Sequence, residues 1–234
     1  MGRDGVDILF GKRSAMIRLQ NLCKAYGAGR RKTVVADNIS VTLPGRTSIA
    51  LLGRNGAGKS SLLRMIAGTM HPDSSKVVSR GSISWPVGFA GSFHGDMTGR
   101  QNARFVARVY GVDTHQLDDA VSSFADLGHH FDLPFRTYSA GMKARLAFGV
   151  SMAIPFDTYL VDEVTSVGDA AFREKSTQVF EERMKTAGAI VVSHGLELVQ
   201  RICDHAVVLH NGKVHYHNSV GDGIAHHRQL IRAD

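Results

Sequence analysis

Gly53-Arg54-Asn55-Gly56-Ala57-Gly58-Lys59-Ser60 follows the apolar run Ile49-Ala50-Leu51-Leu52 and leads into the helix-like stretch Ser61-Leu62-Leu63-Arg64-Met65-Ile66. A strand ending at Leu52 delivers the chain into a glycine-rich turn, where Gly56 and Gly58 accept positive φ and let backbone N–H groups point inward. Such a nest binds oxyanions, and the helix that follows offers them its positive dipole end. The pattern is that of a phosphate-binding loop. Gly53 to Ser61 would contact a nucleotide, with Lys59 reaching the β- and γ-phosphates and Ser60 ligating Mg²⁺.

Composition agrees with one nucleotide-binding domain. A chain of 234 residues can bury a sizeable core. No apolar run reaches the ~18 residues of a membrane span, and Met1-Gly2-Arg3-Asp4-Gly5 lacks the apolar core of a secretory signal. Cys23 and Cys203 fall in unrelated segments without metal spacing and read as buried free thiols. The net charge of +7 comes from scattered basic residues, with only Lys12-Arg13 and Arg30-Arg31-Lys32 clustered, so nothing selects nucleic acid as a partner.

Outward from the loop, β-rich runs alternate with helical patterns, which predicts an α/β fold with a mostly parallel sheet. The runs are Met16 to Leu19, Ser48 to Leu52, Thr158 to Val161, Ala189 to Val192 and Ala206 to Leu209. Asn211-Gly212 then predicts a hairpin into Lys213-Val214-His215-Tyr216 and an antiparallel edge. From Thr98 to Ile154 strand character gives way to helical spacing over Arg100 to Tyr110, Thr114 to Leu127 and Met142 to Ile154. That block reads as an inserted helical subdomain, about residues 95–154, inside a single domain of residues 16–234.

A second chemical element ends the run Tyr159-Leu160-Val161-Asp162-Glu163. Carboxylates at a strand end opposite the phosphate loop would let Asp162 hold Mg²⁺ while Glu163 polarises a water for attack on the γ-phosphate. An apolar-Asp-Glu run alone is a common strand cap. Its pairing with the loop gives it weight.

Tyr138-Ser139-Ala140-Gly141-Met142, shortly before the carboxylate strand, resembles the signature motif of ABC transporter ATPases, and the chain from Met16 onward is similar to that family. The resemblance implies a P-loop NTPase fold of the ABC ATPase type that binds ATP with Mg²⁺. It assigns Tyr26 to stacking on adenine, His194 to the γ-phosphate or the catalytic water, and Ser166-Val167-Gly168-Asp169 to the loop linking two sites through Asp169. Catalytic roles fall on Glu163, His194 and Lys59. Ser139 and Gly141 would bind the γ-phosphate held by a second copy, so the family implies a head-to-tail dimer with two ATPs sandwiched between the subunits. The motion of that dimer would pass to integral membrane permease subunits, with the chain peripheral to the cytoplasmic face of a bacterial inner membrane.

The signature run Ser-Ala-Gly-Met-Lys-Ala-Arg departs from the commoner form at Ala140 and Met142 and resembles exporters of surface polysaccharide. Ser84 to Phe89, Phe93-His94, Thr98-Gly99-Arg100-Gln101-Asn102 and Val167 to Phe172 likewise resemble the capsular-polysaccharide export subfamily. Export of O-antigen or a teichoic-acid-type glycan is the alternative. Some O-antigen exporters carry a long C-terminal carbohydrate-binding domain, and the chain stops soon after the hairpin. Most ABC ATPases place a metal-touching Gln after this strand, yet residues 84–95 contain none and Gln101 lies too late. The region from Trp85 to Asp96 is therefore assigned to partner contact without a metal ligand.

His215, His217, His226 and His227 read as solvent-facing side chains rather than a metal site. Residues 1–15 match no family motif and are assigned to an N-terminal extension, disordered or preceding a start at Met16. A soluble ABC protein acting on nucleic acid or ribosomes would bring tandem domains, coiled-coil insertions or zinc cysteines. A non-hydrolysing regulator would have lost Lys59, Asp162, Glu163 or His194, and all four are present.

Overall fold

The computed structural model describes residues 16–27, 32–91, 93–162, 170–193 and 195–233. Residues 1–15, and with them the expected N-terminal extension, lie outside the described residues.

Two sheets share the molecule. The larger has the order β5(Ile83–Pro86), β6(Thr158–Asp162), β7(Gly188–Val192), β3(Ser48–Leu52), β8(His205–His210), β9(Lys213–His217). Its strands are parallel up to β8, and β9 pairs antiparallel with β8. Asn211 (φ 47°) and Gly212 (φ 74°) form the turn between them, both in the left-handed region that a two-residue hairpin demands. β3, β6 and β7 are continuous apolar runs because helices and the second sheet cover both faces. The mostly parallel sheet with an antiparallel edge agrees with the sequence reading.

The smaller sheet is antiparallel, in the order β2(Thr33–Pro44), β1(Met16–Tyr26), β4(Ser74–Arg80). Only the start of β1 is legible as a strand in the sequence. Ile17, Leu19, Leu22, Ile39 and Leu43 of this sheet join Leu62, Leu63, Met65 and Ile66 of α1(Lys59–Ile66) in one core against β3, β7 and β8. Burying each such side chain contributes about 1.5–3 kcal/mol, so α1 is fixed from both sides.

The opposite face of the larger sheet carries α5(Ala170–Met184), α6(Leu196–Ile202), α7(Val220–Ala233) and the helical block α2(Gly99–Tyr110), α3(Thr114–Ala125), α4(Ala140–Ala153). The α2 start is a full capping box: Thr98 accepts from Gln101 N–H, and the Gln101 side chain accepts from Thr98 N–H. α3 is N-capped by Asp113 and α4 by Ser139. α7 was not foreseen. Gly223 lets it approach β8 so closely that a Cβ there would lie 2.2 Å from the Ala206 Cβ.

Cys203 is buried and Cys23 only half-buried, both free thiols. Burial pushes the Cys203 thiol up to about 12, which leaves it inert. Among the described residues no helix is long and apolar enough to cross a membrane.

Candidate active site

The phosphate-binding loop leaves the central strand β3 at Leu52 and enters α1 at Lys59, between neighbours β7 and β8. Gly56 (φ 81°) and Gly58 (φ 102°) occupy conformations that side chains resist. At Gly58 space is also missing, since an added Cβ would stand 2.7 Å from the Val35 Cβ of β2. Ala57 N–H donates to Arg54 O (3.1 Å), and Lys59 Nζ donates to Gly53 O (2.7 Å) and Arg54 O (2.9 Å). The ammonium is thereby held over the loop it closes. α1 carries no acidic residue in its first turn, so its positive end is not offset locally.

Beside the loop lies an open cleft of about 590 Å³ lined by Tyr26, Asn55, Lys59, Ser60, Ser61 and Asp162, among others. Tyr26 closes β1, paired with Thr33, and is 41% exposed. Its hydroxyl donates to the Met70 sulfur (3.1 Å) and lies 3.2 Å from Ser61 Oγ. The hydroxyl end of the ring is pinned, and Lys24 Nζ lies over the ring 5.7 Å from its centroid. Ser60 and Asp162 offer a hydroxyl and a carboxylate, hard oxygen donors of the kind Mg²⁺ takes, so the residues present fit that ion.

Ser139 and Gly141 do not line this cleft. They open α4, where Ser139 Oγ accepts from Met142 N–H at 3.2 Å. A Cβ on Gly141 would meet no atom nearer than Ser139 Oγ at 3.9 Å. Among the described residues nothing requires a glycine there. Glu163, Asp169 and His194 lie outside the described residues, as do Ser166, Val167 and Gly168. Asp162 just before Glu163 lines the cleft, as does Val192 at the end of β7.

Ser60 and Asp162, with Arg64 and Thr69, also line a second, largely apolar groove of about 540 Å³ beside α2. Its walls include Trp85, Phe89, Phe105, Val109 and Tyr110. Phe89 (54%), Phe105 (54%) and Val109 (62%) are exposed, which is costly for a contiguous apolar surface unless something covers it. Trp85 ties the groove to α4 through Nε1–H donated to Ser151 Oγ (3.1 Å) and packs on Tyr110 and Phe156.

The run Thr98 to Asn102 has an architectural explanation. Gln101 is consumed in the α2 capping box. Arg100 pairs with Asp118 (2.7 Å) and Asp132 (2.6 Å), and buried Asn102 holds His94 through both its N–H (2.8 Å) and its carbonyl (3.1 Å). These residues seat the loop from His94 to Thr98 on α2. The sequence reading missed Thr33 and Val35 on the cleft wall, because it gave β2 no strand. Of the four histidines, His215 is exposed as expected, while His217, His226 and His227 are partly buried. His217 Nε2 lies 2.9 Å from His226 Nδ1, joining β9 to α7 instead of facing solvent. Among the described residues no three or more His, Cys, Asp or Glu side chains are gathered as a metal site.

The family model described as ABC transporter matches residues 36–166. The polysialic acid transport ATP-binding protein KpsT of Escherichia coli is 46% identical over 222 residues, 94% of this chain and 99% of the relative. The capsule polysaccharide export ATP-binding protein CtrD of Neisseria meningitidis serogroup B is 38% identical, covering 92% of this chain and 100% of its own. Among solved structures, a dimeric ATP-binding cassette in a post-hydrolysis state with ADP and Pi superposes with a TM-score of 0.72. That match covers 87% of this chain and 98% of the other at 19% identity, a likeness of fold.

Proposed function

The chain belongs to the ABC transporter family, and from that membership we propose that it is the ATP-binding, ATP-hydrolysing subunit of a transporter exporting capsular or related surface polysaccharide. The observation that carries the substrate class is the 46% identity to the polysialic acid transport protein over 94% of this chain and 99% of the relative. Export of an O-antigen or teichoic-acid-type glycan is the second reading; O-antigen export relatives support it less strongly, at 36% identity over 79% of this chain.

ATP enters the cleft with adenine on the exposed face of Tyr26 and its phosphates on the Gly53–Ser61 backbone. Lys59 exchanges its bonds to Gly53 O and Arg54 O for the β- and γ-phosphate oxygens, so the phosphates gain a charge-assisted donor already in place. Ser60 and Asp162 would hold Mg²⁺, which when bound would supply positive charge against the phosphate oxygens. Glu163 takes the proton of the attacking water as its oxygen bonds to the γ-phosphorus and the bond to the β-phosphate oxygen breaks, releasing ADP. His194 donates a hydrogen bond to the γ-phosphate or to that water. Positioning and fixed charge carry most of the rate.

Among the described residues no signature residue lines the cleft, and Ser139 and Gly141 open a helix whose first turn is free of acidic side chains. That separation supports a head-to-tail dimer in which the partner's α4 presents its positive end to the γ-phosphate, with Asp169 linking the two sites. Hydrolysis loosens the sandwich. The groove walled by Phe89, Phe105 and Tyr110 receives a cytoplasmic segment of the permease. Because it shares Ser60 and Asp162 with the cleft, a docked segment senses the nucleotide site without the missing Gln. The subunit thus sits peripherally on the cytoplasmic face of the inner membrane.

Replacing the chromosomal copy with Lys59→Ala in the cell of origin tests the assignment. Polymer retained inside the cell supports export; normal surface polysaccharide would remove the substrate reading while leaving family membership intact.

A further inference from the structure

α5 begins directly after the segment that carries Glu163 and Asp169, and one of its faces lies against the helical block. Phe172 and Phe180 are buried on that face, and Lys175 and Arg183, two turns apart, share it. Lys175 Nζ donates to Ser123 O (3.1 Å) and Phe124 O (2.9 Å), carbonyls of the last turn of α3. Arg183 Nη2 donates to Met152 O (2.6 Å), in the last turn of α4. Each cation thus meets the carbonyl end of a different helix, where backbone acceptors lack intrahelical partners and the dipole is negative. Phe172 adds a ring contact to Phe124 at 5.2 Å and lies under the Arg145 guanidinium at 4.8 Å.

Neither α3 nor α4 has a basic residue in its own last turn. Both ends are charged from α5. α4 is 14 residues long and presents Ser139 and Gly141 at its other end, about 20 Å from the Arg183 cap. Over that length a rotation of about 5° displaces the signature by roughly 2 Å, and displacements of that order decide whether a donor meets a phosphate.

We propose that Lys175 and Arg183 are positioning residues for the signature: by capping α3 and α4 they set the angle at which Ser139 and Gly141 reach the partner's nucleotide. The inference rests on the head-to-tail dimer described above. It makes α5 a mechanical link between the carboxylate strand's downstream segment and the signature helix of the same subunit. The two caps divide the task, Arg183 fixing the far end of α4 and Lys175 fixing α3, which packs alongside it.

The test uses the full chain in a Glu163→Gln background, which holds ATP without turning it over. Lys175→Met and Arg183→Met, singly and together, remove the charge and keep most of the stem. ATP affinity of the monomer, thermal midpoint and the ATP-dependent dimer Kd are measured at a temperature where every variant is folded. The expected result is unchanged ATP affinity with dimer Kd raised at least about tenfold in the double variant, and recovery with Lys175→Arg combined with Arg183→Lys. Unchanged dimer Kd in the folded double variant overturns the proposal. If that variant does not fold, the single variants decide in the same way, and a dimer Kd that fails to follow the charge in both singles overturns it. Absence of ATP-driven dimers in the Glu163→Gln parent would instead overturn the dimer reading itself.

Discussion

Lys59 Nζ donates to Gly53 O at 2.7 Å, so the first and seventh residues of the phosphate-binding loop are joined across its mouth. The ammonium is positioned before nucleotide arrives, and its removal takes away both a loop closure and a phosphate partner. A hydrogen bond to a charged group contributes about 1.5–3 kcal/mol, so Lys59→Ala is expected to weaken ATP binding by roughly tenfold to a hundredfold. Titration calorimetry with ATP checks it, and affinity within about twofold of wild type contradicts the role.

Gly141 separates assembly from folding. Among the described residues its Cβ position meets nothing closer than 3.9 Å, and alanine is a better helix former than glycine by about 0.5–1 kcal/mol. Gly141→Ala should therefore keep or slightly raise the thermal midpoint while weakening ATP-driven dimerisation in the Glu163→Gln background. Light scattering with and without ATP reads the result; a dimer as strong as the parent's removes Gly141 from the interface.

Tyr26 contributes a ring face, and its hydroxyl serves to anchor the ring on Met70 and Ser61. Aromatic stacking adds about 1 kcal/mol beyond area burial. Tyr26→Ala is expected to weaken ATP binding several-fold to about tenfold, and Tyr26→Phe much less. Equal losses in the two variants would assign the effect to the hydroxyl instead.

Asn102 is 2% exposed, and its amide serves His94 N–H and the carbonyls of His94, Met97 and Thr98. Asn102→Leu leaves these groups without their partner in a buried site, at a cost of about 2–3 kcal/mol and a thermal midpoint lower by roughly 5–10 °C. Calorimetric melting measures it, and an unchanged midpoint would show that the loop finds other partners.

The imidazoles between β9 and α7 give stability a pH dependence. Burial, together with His226, His217 and His210, holds His215 below its ordinary value; burial, with Lys59 and His226, does the same for His227. A base whose folded pKa is lowered binds more protons in the unfolded chain, so its stabilising contribution is full above 6.5, the ordinary value, and is lost as pH falls below it. Wild type should melt earlier at about pH 5.5 than at about pH 7.5, and His215→Gln with His227→Gln should narrow that difference. An equal difference in both would place the titration elsewhere.

The phosphate loop was legible because an apolar strand, the glycines and a helical run stand in immediate succession. The antiparallel sheet was not. β4, Ser74–Arg80, is polar and nowhere fully buried, and β2 loses its alternation at Asn38, whose φ is 54°. Both strands are held by pairing with β1, a long-range contact that local patterning does not encode. α7 escaped because Gly221, Gly223 and paired histidines read as a tail, whereas Gly223 is the price of close packing on Ala206. Ser139, Gly141 and Tyr26 were found by resemblance. Their spacing alone carries no chemistry, and the cleft that gathers Tyr26 with Lys59 and Asp162 draws on β1, β2, the phosphate loop, α1, β6 and β7.

The most direct test of the transport account is ATP hydrolysis and polysaccharide export by membranes holding this subunit with its permease, wild type beside Glu163→Gln. The account expects the variant to bind ATP and lose both activities together. Export that continues in the variant, or hydrolysis that persists while export stops, would contradict it.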